Sequence, residues 1–95
     1  MRKVTKAQAE KVLAAVKAQW GVEAGDEWGP KLVMGFDWFG HGAVPTVVWE
    51  EGPYDWPMYF GGGMTEEGYA VAPAVAPKGV FAEPATGWAL SIYRD

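Results

Sequence analysis

Apolar residues near the start of the chain recur with a helical period. Ala9, Val12, Leu13, Val16 and Trp20 fall on one face of a 3.6-residue repeat, while Lys6, Glu10, Lys11 and Lys17 fall mainly elsewhere. The pattern predicts an amphipathic helix over residues 5–20. Thr5 suits the N-cap and Gln8, three residues on, completes a capping box. Gly21 can take the left-handed conformation that ends a helix. A helix of this length is marginal alone in water, so its stripe requires a surface to cover it.

Beyond the helix the period shortens. Residues 31–39 alternate, with Leu32, Met34, Phe36 and Trp38 on one side of an extended strand and Val33, Gly35, Asp37 and Phe39 on the other. Gly40-His41-Gly42 reads as a turn, and residues 46–50 as the strand that pairs back. Glu51-Gly52-Pro53 reads as a second turn before a strand over 54–60, which Pro57 confines to a short, bulged or edge position. Gly61-Gly62-Gly63 opens a loop. Residues 69–76 place Pro73 and Pro77 on one border, as in an edge strand, with a polyproline-like segment as the competing reading. Strands over 80–83 and 88–93 flank Pro84-Ala85-Thr86-Gly87, a turn with proline early and glycine late. Trp88, Leu90 and Ile92 share one face of the last strand. The expected fold is one α+β domain: an N-terminal amphipathic helix packed on a four- to five-stranded antiparallel sheet, with one of the six candidate strands irregular.

Composition narrows the function classes. The 95 residues contain no cysteine, which removes disulfides, thiolate metal sites and cysteine nucleophiles. The absence of cysteine fits a reducing cytoplasm. No apolar run nears the roughly 18 residues of a membrane span, and no apolar stretch follows Arg2 and Lys3 to make a signal peptide. Residues 1–20 carry five basic residues against one acid, and residues 21–95 carry three against eleven. The net charge of −4 therefore divides into +4 and −8.

Candidate chemistry is sparse. His41 is the only histidine, and a site built on it would need Asp37 or Glu50 beside it. Its glycine neighbours favour a loop role. Glu50, Glu51 and Asp55 cluster without the spacing of a calcium loop. The triple glycine lacks the Lys-Ser/Thr of a phosphate loop, and Ser91 sits within a strand without a nucleophile elbow. No catalytic residue, metal or cofactor is assigned.

Two surfaces remain. Trp49, Tyr54, Trp56, Tyr59 and Phe60 exceed what one small core hides, and they predict an interface with a second copy or a host protein. Arg2, Lys3, Lys6, Lys11 and Lys17 offer an alternative, contact with nucleic-acid phosphates. Against it, the lysines are spread around the helix and the remaining residues are acidic. An acidic surface mimicking nucleic acid is a further reading, for which −8 over 75 residues is a modest charge.

The segments 49–56 (Trp-Glu-Glu-Gly-Pro-Tyr-Asp-Trp) and 79–95, with Ala82-Glu83-Pro84 and Trp88-Ala89-Leu90-Ser91-Ile92-Tyr93, resemble small proteins of unassigned role encoded by actinobacterial bacteriophages. The resemblance implies a host-cytoplasm location and a host-directed role. It carries over no catalytic residue.

Overall fold

The computed structural model describes residues 4–23, 29–36, 44–49, 74–86 and 89–94. Helix α1 spans Lys6–Trp20, followed by strands β1 (Lys31–Phe36), β2 (Val44–Val48), β3 (Val80–Thr86) and β4 (Ala89–Arg94). The strands form one antiparallel sheet in the order β1-β2-β4-β3. The helix packs on β1 and β2. This is the expected α+β arrangement of one helix on an antiparallel sheet.

The helix begins and ends as its sequence dictates. The Gln8 backbone N–H donates to Thr5 Oγ1 at 3.1 Å, and the Thr5 N–H donates to Gln8 Oε1 at 2.9 Å. Gly21 adopts φ +67°, where a Cβ would be strained. At that end the Val22 N–H donates to the Lys17 carbonyl at 2.8 Å and the Gly21 N–H to Ala18 at 3.4 Å, the Schellman pattern. Ala9, Val12 and Val16 are fully buried. Leu13 and Trp20 share their face but are only half-buried, packed against the core from its margin. The core joins the helix stripe to Val47, Val75, Val80, Leu90 and Ile92, with Leu32 and Ala82 alongside.

Register explains the strand bounds. Val33 pairs with Thr46 and Phe36 with Val44, so β1 spends one more residue than β2 over this interval. Pro45 stands opposite the extra residue. A proline has no N–H for the ladder, and a bulge relieves that need. The alternation expected through 31–39 therefore breaks after Val33, and position 36 takes the parity of Val33. The bulge also lets β2 start at Val44, two residues before the expected 46.

The C-terminal hairpin corrects a second expectation. β3 continues through Pro84 to Thr86, leaving only Gly87 and Trp88 between the strands. Pro84 does not end the strand because, among the described residues, β3 is an outer strand, and a register shift follows between Pro84 and Thr86. The strand expected over 69–76 also fails where it is described. Ala74 is helical, and Val75 and Ala76 lie outside any strand. Alanine favours helix, and Pro77 starts a turn closed by Val80 N–H to Pro77 C=O at 3.2 Å, with Gly79 at φ +92°. The strand expected over 54–60 lies outside the described residues.

Leu90 has no exposed surface and sits at the centre of the core. Replacing it with alanine is expected to cost about 2–5 kcal/mol, read from denaturant midpoints. Thr5→Ala, which opens the capping box, is expected to cost about 1 kcal/mol. Equal midpoints for wild type and Leu90→Ala would contradict the packing described.

Candidate functional site

The two faces of the sheet differ in chemistry. Leu32, Val47 and Leu90 lie in register beneath the helix. The opposite face carries a cross-strand row, Val33–Thr46–Ser91–Glu83, that spans all four strands. Its centre is buried: Thr46 has no exposed surface and Ser91 only 3%. Its ends, Val33 and Glu83, are exposed.

Two buried hydroxyls at the centre of the row must be satisfied locally. Thr46 Oγ1 donates to the Val44 carbonyl at 3.1 Å and lies 3.3 Å from Ser91 Oγ. A hydroxyl has one proton to give. Thr46 spends its own on Val44, so Ser91 donates to Thr46. The relay from Ser91 to Thr46 to the Val44 carbonyl pins β2 to β4. It leaves Ser91 bonded to another hydroxyl, whereas an activated serine needs a base.

Exposed apolar residues gather at the two outer strands. Val33 (40% exposed) and Met34 (39%) lie on β1, and Phe81 (41%) lies on β3. The Phe81 ring stacks on that of Tyr93, with centroids 5.2 Å apart and planes at 22°. Both rings stand on the face opposite the helix.

Of the residues anticipated as an interface, Trp49 is half-buried and packs against the core. Its ring meets Trp20 edge to face at 6.0 Å and closes the seam between helix and sheet. Tyr54, Trp56, Tyr59 and Phe60 lie outside the described residues, as do His41, Asp37, Glu50, Arg2 and Lys3. Lys6 and Lys11 are exposed and Lys17 is half-buried. Lys6 reaches Glu10 at 4.0 Å in a solvated pair, a contact worth little. Lys11 stands about 140° around the helix axis from Lys6, so these lysines make no single basic stripe. Among the described residues, no three His, Asp or Glu side chains gather as a metal site. No helix of the described residues is long and apolar enough to cross a membrane.

Comparison with known proteins finds no matching family model, no similar curated protein and no similar solved structure.

Val33, Met34, Phe81 and Tyr93 were not singled out from the sequence. Alternation assigns each to a face, but only strand order reveals that β1 and β3 are the edges.

Thr46→Val is expected to destabilise the fold by about 1–3 kcal/mol, because it leaves the Ser91 hydroxyl buried without its acceptor. Adding Ser91→Ala should recover part of that loss. Additive losses in the double-mutant cycle would show that the two hydroxyls do not interact.

Proposed function

We propose that the protein acts by protein contact, without catalysis, binding a second copy of itself or a host protein through its sheet. The observation that carries this reading is the placement of Val33, Met34 and the Phe81–Tyr93 stack. Val33, Met34 and Phe81 stay exposed on the two outer strands, with the half-buried Tyr93 of β4 stacked on Phe81, while Thr46, Val47, Leu90 and Ser91 at the centre of the sheet are buried. Edge strands offer backbone donors and acceptors as well as side chains, so they are ready surfaces for another chain. Tyr54, Trp56, Tyr59 and Phe60, outside the described residues, are proposed as further contact residues. The likeness to phage proteins supports a host-cell setting for the partner.

The test compares wild type with the triple variant Val33→Ser, Met34→Ser and Phe81→Ser. Val33 and Met34 are exposed, so each should change stability by no more than about 0.5 kcal/mol, and losing the Phe81–Tyr93 stack should cost about 0.5–1.5 kcal/mol. Light scattering should give wild type a mass above the 10.3 kDa of one chain, or affinity capture from host lysate should retain a partner. Either signal should fall in the triple variant. A monomer that captures nothing, or an interaction the variant leaves unchanged, would contradict the reading.

A further inference from the structure

We draw no further inference here: the strongest candidate, the exposed Phe81 ring stacked on Tyr93 on the sheet face opposite the helix, belongs to the contact surface already proposed, and nothing in the structure shows what covers it.

Discussion

The structure depends on the pairing of β2 with β4. Helix α1, β1 and β2 form one local unit, and β3 with β4 forms another. Among the described residues, the sheet joins the two units only through β2 and β4. That junction brings together Thr46 and Ser91, 45 residues apart in the chain. Closing a loop of that length costs about 3–4 kcal/mol in chain entropy. Burying Val47 and Leu90, which face each other across the junction, returns about 1.5–3 kcal/mol each. The hydrophobic pair beneath the helix therefore offsets the closure, and the hydroxyl relay on the other face adds direction. One face supplies energy and the other fixes which residues meet.

The middle of β2 and β4 is buried on both faces, and among the described residues the exposed large apolar side chains lie on the outer strands. Val47 and Leu90 are committed to the core, and Thr46 and Ser91 to each other. Trp49, which follows β2 in the chain, closes the seam with Trp20. Surface chemistry is thereby pushed outward to Val33 and Met34 on β1 and to Phe81, Tyr93 and Glu83 near β3. A buried centre with exposed apolar residues on the outer strands is the physical basis for the proposal that the protein acts by contact.

What was legible in the sequence was what local chemistry decides. The helix declared its N-cap through Thr5 and Gln8 and its end through Gly21, because capping acts within a few residues. Leu90 and Ile92 were assigned to one face by simple alternation, and that face is the core. The misreadings have one source, the treatment of proline and alanine. In sequence Pro84 reads as the end of a strand, yet an outer strand with a register shift carries it. Residues 69–76 read as extended beside Pro73 and Pro77, yet the described part is a helical residue, Ala74, leading into a turn. The bulge opposite Pro45 was invisible, since Met34-Gly35-Phe36 continues a plausible alternation. The candidate surface was harder still. Phe81 and Val33 matter because they stand at edges, and edges are set by the long-range pairing of β2 with β4, which no local pattern encodes.

The most direct test of this account is native-state hydrogen exchange, read residue by residue. If the β2–β4 junction holds the two units together, the slowest amides of β2 and β4 exchange only through global unfolding. Their opening free energy then equals that from denaturant titration, and the buried turns of α1 open with them. If β2 opens well below that value while the β3–β4 hairpin stays protected, the units are stable apart and the junction is not what the fold depends on.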